Sequence, residues 1–206
     1  MPVFGVRFSE EPLDFPTLFG RTAPAILEIG FGMGATTAEI AAAHPGQDYL
    51  GVEVHTPGVG ALLKLVQAHA LTNLRIIEHD VQAVVDFQIP DQTLTGIHVF
   101  FPDPWPKARH HKRRLIQQHF VTKLATKLQP GGYLHLATDW PDYAEQMIAA
   151  VNAVPAFTQP RASRSPVAGE HGVGSSPAPR PLTRFEQRGL KLGHPIADIM
   201  RIKIGR

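Results

Sequence analysis

Residues 25–54 read AILEIGFGMGATTAEIAAAHPGQDYLGVEV, and the order of residue types is that of a strand, a turn, a helix and a second strand. AILEIG is a short apolar run ending at a glycine, residues 35–44 favour helix until Pro45 stops them, and DYLGVEV returns to the strand pattern. Outward from there the alternation continues. Thr56 and Pro57 predict an N-cap and first-turn proline for a helix running to about Leu71. NLRIIEHD is a third strand, residues 81–87 are weakly helical, Pro90 to Gln92 turn, and GIHVFF is a fourth strand. Ile116, Phe120, Leu124 and Leu128 lie at helical spacing across 115–128, Pro130-Gly131-Gly132 breaks the pattern, YLHLATD is a fifth strand, and Pro141 can open another helix. Residues 199–204 alternate apolar and basic side chains, as a half-exposed edge strand would. Strands alternating with helices predict an α/β fold, a mostly parallel sheet with helices on both faces and its ligands at the carboxyl ends of the strands.

With 206 residues and 43% hydrophobic content, residues 1–206 form one domain large enough to bury a core without staples. The chain has no cysteine, which excludes disulfides, thiolate metal sites and cysteine nucleophiles and fits a reducing cytoplasm. The N-terminus lacks the build of a signal peptide and no apolar run approaches a membrane span, so a soluble, cytoplasmic protein is expected. The net charge of +2 hides a segregation. Residues 1–106 hold 4 Lys+Arg against 12 Asp+Glu, and residues 107–206 hold 16 against 6. The second half is suited to a polyanion, nucleic acid or an anionic membrane.

Gly30, Glu53, Asp80, Asp103 and Asp139 each fall at or just after the close of a predicted strand, where side chains converge on one crevice. The glycine turn at Gly30, Gly32 and Gly34 lets a ligand approach the backbone and a helix N-terminus. It also satisfies a loose dinucleotide fingerprint, with Glu53 placed for a ribose, which keeps a nicotinamide oxidoreductase open. Glu28 and Asp80 add negative charge that favours a cation over a pyrophosphate. S-adenosylmethionine carries an ammonium and a sulfonium and no phosphate, so it suits a crevice ringed by Glu28, Glu53 and Asp80.

Residues 100–114 read FFPDPWPKARHHKRR. Prolines at 102, 104 and 106 push Phe101, Asp103 and Trp105 toward extended backbone, so Asp103 is presented on a stiff turn. The cationic run that follows suits an anionic polymer. Trp105 is either a stacking platform for a base or a core residue. The eleven histidines show no metal-ligand spacing, and no metal is expected. Residues 159–181, rich in Pro, Ser and Gly, are expected to form a mobile loop.

EIGFGMG, GVEVH, Asp80, the 100–114 block, ATDW and TRFEQRG occur in the order and approximate spacing of the bacterial tRNA (guanine-N7-)-methyltransferases of the TrmB type, and the chain resembles that family from about residue 3 to 206. The resemblance implies a seven-stranded Rossmann-like sheet, S-adenosylmethionine as donor, tRNA as partner and the variable-loop guanine at tRNA position 46 as acceptor. It implies cofactor contacts at Glu28, Gly30, Gly32, Gly34, Glu53 and Asp80, and a catalytic Asp103 that also borders the cofactor. Substrate contacts fall on Lys107, Asp139, Thr183, Arg184, Phe185 and Glu186, and Arg109, Lys112, Arg113 and Arg114 are expected to meet RNA phosphates. Pro106 stands where a polar residue is expected, and the chain starts close to the core domain, so RNA contacts made by a longer N-terminal segment in the family are expected to be absent or replaced. A non-catalytic RNA-binding protein on the same fold is the remaining alternative.

Overall fold

The computed structural model describes residues 4–158, residue 186 and residues 195–205. Six strands, β1 (Ala25–Ile29), β2 (Asp48–Glu53), β3 (Leu74–Glu78), β4 (Leu94–Phe100), β5 (Leu128–Thr138) and β6 (Ala197–Ile202), form one sheet in the order β3-β2-β1-β4-β5-β6. The first five run parallel and β6 is antiparallel to β5. The linking helices are α1 (Phe15–Phe19), α2 (Ala35–Ala43), α3 (Thr56–Ala68), α4 (Val81–Ala83) widening into a π-helical turn over Val84–Gln88, a 3₁₀ helix over Ala108–Arg113, α5 (Gln118–Lys127) and α6 (Pro141–Asn152). Strand order reverses beside β1, and such a switch point opens a crevice at the carboxyl edge.

Both faces of the sheet are covered, which is why β1 is buried at all five positions and reads as a continuous apolar run. Leu27, Leu50, Val52, Ile97, Val99 and Leu136 pack with Phe120, Leu124 and Met147 of α5 and α6 on one face. Ile26, Tyr49, Phe100 and Ala137 pack with Ala38, Ala41, Leu62 and Val66 of α2 and α3 on the other. Each such buried leucine contributes about 1.5–3 kcal/mol.

Five local expectations are corrected. The described residues form six strands and not seven; at the next position Phe157 makes only a single antiparallel bridge to Lys203. Because Thr158 donates to the Ile202 carbonyl and Ile204 to that of Ala156 (2.9 and 2.8 Å), β6 is flanked on both sides and is not an edge. Pro130-Gly131-Gly132 does not precede the fifth strand but is looped out of it: Leu94 pairs with Leu128 and Gly96 already with Tyr133. The helix expected over 115–128 begins only at Gln118, since the basic run forms its own 3₁₀ turn and the Ile116 N–H donates to the Tyr143 hydroxyl at 3.0 Å. His55, not Thr56, sits at the start of α3, and the Thr56 hydroxyl donates to Glu78 instead.

Candidate active site

Gly30, Gly32 and Gly34 all have positive φ, between +56° and +74°. At Gly34 a second constraint applies, because a Cβ would lie 2.6 Å from that of Leu62 on α3. A Cβ on Gly58, in the first turn of α3, would lie 2.1 Å from the Gly32 carbonyl oxygen, so turn and helix touch backbone to backbone. Glu53, at the end of β2, braces this contact. One carboxylate oxygen accepts from the Gly32 N–H (2.8 Å), the other from Val54 (2.8 Å) and His55 (3.0 Å). Asp80 is exposed and caps α4 by accepting from the Gln82 N–H at 2.7 Å. Met33 (52% exposed) and Val54 (67%) are apolar side chains held out in water on this turn and directly after Glu53.

Glu28 does not ring the crevice at its surface as expected. It is 3% exposed, one residue before the end of β1, and points into the face covered by α2. The Thr37 hydroxyl on α2 donates to Oε1 at 2.9 Å, while Oε2 is buried without a partner among the described residues. Burial pushes its carboxyl up to about 7, the Thr37 bond offsetting a smaller part. In register across the strands lie His98 and then His135. Buried His98 is held neutral, its pKa lowered to about 3 by burial and by the neighbouring His135 and His44. Its Nε2 meets the Tyr133 hydroxyl at 2.9 Å, and its Nδ1 has no partner among the described residues.

The parallel strands bring Asp103 and Asp139 to the ends of adjacent β4 and β5, where the Phe101 N–H still donates to the Ala137 carbonyl at 2.8 Å. Asp103 is exposed and Asp139 half-buried. The Asp103 turn is stiff but not extended: Phe101 and Trp105 have φ of +52° and +44°. Proline at the following position excludes right-handed helix, and these two residues take up left-handed backbone, at a cost of about 1–3 kcal/mol each. Trp105 is half-buried, with the Arg113 guanidinium over its ring at 5.0 Å and the His110 ring edge-on.

Lys107, Arg109, Lys112 and Arg113 are exposed and make no ion pair among the described residues. Arg114 breaks the expected set of phosphate contacts. It is 2% exposed, and its guanidinium is consumed by the Pro104 carbonyl, the Asp142 carboxylate and the Gln146 amide oxygen. Nothing in the sequence marks Asp142 or Gln146 as its partners, and nothing marks Thr37 as the partner of Glu28. Glu186 is half-buried, whereas Thr183, Arg184, Phe185 and the 159–181 loop lie outside the described residues. Among the described residues no cluster of three or more His, Cys, Asp or Glu could hold a metal, and no helix is long and apolar enough to cross a membrane.

In the solved 16S rRNA methyltransferase KamB the same fold recurs, with a TM-score of 0.62 at 16% identity over 95% of both chains. An rRNA methylase from Streptococcus thermophilus gives 0.58 at 13% identity, over 89% of this chain and 88% of the other. The family model described as "Putative methyltransferase" matches residues 22–199, which sets aside the nicotinamide reading of the glycine turn. A tRNA (guanine-N(7)-)-methyltransferase of Nitrosomonas eutropha is 53% identical over 98% of this chain and 87% of its own length. One from Burkholderia vietnamiensis is 54% identical over 97% and 74%. With that identity sustained over nearly the whole of this chain, the chain belongs to the tRNA (guanine-N(7)-)-methyltransferase family.

Proposed function

We propose that this chain transfers a methyl group from S-adenosylmethionine to N7 of a guanine in tRNA, the variable-loop guanine at position 46, in the cytoplasm. The observation that carries the reading is the meeting, on one edge of the sheet, of an acid-lined glycine turn with an exposed carboxylate turn and exposed cations that make no ion pair among the described residues. The residues present suit the donor. The glycine turn offers backbone without side chains, Glu53 and Asp80 offer carboxylates to ribose hydroxyls and a cationic ligand, and Glu28 Oε2, buried with no partner among the described residues, is a further polar group near the end of β1. When bound, S-adenosylmethionine supplies an electrophilic methyl group.

Guanine N7 carries an in-plane lone pair and no proton, so no strong general base is required and positioning dominates. The Asp103 carboxylate can accept from guanine N1–H and N2–H, a pattern adenine lacks, and can favour the positive charge that develops on the base. Lys107 and Asp139 flank it and orient the substrate. Arg109, Lys112 and Arg113 hold the RNA backbone. Trp105 already carries Arg113 over one face of its ring, so a base would stack on the other face or displace Arg113.

Labelled methyl transfer to unmodified tRNA, followed by nuclease mapping, tests the proposal. Wild-type protein should label guanine 46. Asp103→Ala should lose about 100-fold or more in turnover while retaining S-adenosylmethionine binding by calorimetry. Wild-type protein that binds tRNA but never labels it would favour the non-catalytic alternative; near-normal transfer by Asp103→Ala would remove that residue from the reaction.

A further inference from the structure

We propose that Arg114 is a positioning residue that sets Asp103 against Asp139 by bolting the Asp103 turn to α6, a role that rests on the methyl-transfer reading above. The turn is poor in ways of holding itself. Prolines 102, 104 and 106 have no N–H to donate, and the remaining donors, the Asp103 and Trp105 N–H groups, make no hydrogen bond among the described residues. Among the described residues the bond from Arg114 Nε to the Pro104 carbonyl, at 2.7 Å, is the one hydrogen bond made by residues 102–106. Pro104 lies directly between Asp103 and Trp105. The rest of the guanidinium faces the other way. Nη1 and Nη2 donate to the two Asp142 oxygens at 2.8 Å each, Nη1 also to Gln146 Oε1 at 2.8 Å, and the group lies 4.9 Å from the centre of the Tyr143 ring. Asp142 stands in the first turn of α6, three residues after Asp139. One side chain therefore spans the ends of β4 and β5, the two strands that carry the acids. The left-handed backbone at Phe101 and Trp105 requires such outside restraint.

Only arginine fits. Lysine keeps the charge but offers donors from a single point, and cannot serve a carbonyl, a bidentate carboxylate and an amide together. Arg114→Lys should lower kcat about 10- to 100-fold at saturating tRNA and S-adenosylmethionine, with the affinity for either changed less than about 3-fold. Asp142 is half exposed on its side chain, so Asp142→Asn tests the same link with little risk to folding, and it should lower kcat in the same direction. In a Trp140→Phe background Trp105 is the sole tryptophan, and either substitution should raise its acrylamide quenching.

If Arg114→Lys does not fold, Asp142→Asn decides by the same two readouts. Folded variants with lower melting temperature but unaltered kcat and unaltered Trp105 quenching would overturn the positioning role. An absence of methyl transfer by the wild-type protein would instead overturn the functional reading, and the quenching comparison would still report whether Arg114 holds the turn.

Discussion

Glu28 and His98 are buried side chains whose ionisation the fold shifts strongly, and they work in opposite directions. Glu28 has a folded pKa of about 7 against an ordinary value of 4.5. Between those values the folded protein keeps a proton that the unfolded chain releases, so stability falls as pH rises through the window. The loss is absent in acid and reaches about 3 kcal/mol above pH 7. His98 is lowered from 6.5 to about 3, so the unfolded chain takes up the proton first and stability falls as pH drops through that range. Glu28→Gln isolates the first effect. By urea denaturation from pH 4.5 to 8, its stability relative to wild type should rise with pH and level off above about 7, while S-adenosylmethionine affinity falls. A stability difference that does not vary with pH would mean that Glu28 is not buried with its proton.

The element that shapes the proposed donor crevice is the glycine turn on α3, and its least tolerant position is Gly58, outside the glycine motif itself. A methyl group there meets a backbone oxygen at 2.1 Å, not the yielding end of a side chain. The turn must move, and with it the Gly32 N–H that Glu53 holds. Gly58→Ala should therefore destabilise the protein by about 1–3 kcal/mol and weaken S-adenosylmethionine binding more than tRNA binding. Gly60, one turn position further, has open space around its missing side chain, and Gly60→Ala serves as the control. Equal effects of the two substitutions on donor affinity would show that the contact with Gly32 does not shape the crevice.

At the scale of the whole molecule the charge division matters most, with the proposed acid-lined donor crevice on one side of the switch point and a cationic run on the other. Exposed Arg109, Lys112 and Arg113 can each release counterions on meeting RNA, whereas Arg114 is occupied inside the protein. Alanine at Arg113 should weaken tRNA binding and flatten the slope of log K against log salt by roughly 0.7 to 0.9. Arg114→Lys should leave the slope unchanged. Identical slopes for wild type and for Arg109→Ala, Lys112→Ala and Arg113→Ala would place the RNA on another surface.

The strand–turn–helix order was legible because residues 25–54 carry their structure locally: apolar runs, glycines where φ is positive, and a proline that stops α2. For the same reason Asp80, Asp103 and Asp139 could be assigned to strand ends, since parallel strands deliver their carboxyl ends to one edge whatever the packing. Sequence by itself also determined the charge division and the absence of cysteine chemistry. It could not separate Arg114 from Arg113, identical neighbours of which one is buried against Asp142, 28 residues away, and the other lies over Trp105. Nor could it tell that Glu28 faces Thr37 and His98 beneath the turn, or that Pro130-Gly131-Gly132 bulges out of a strand it was expected to precede. Those outcomes depend on which surfaces meet across the chain. Burial, hydrogen-bond supply and proton affinity are set there by distant neighbours, and only the tertiary structure decided them.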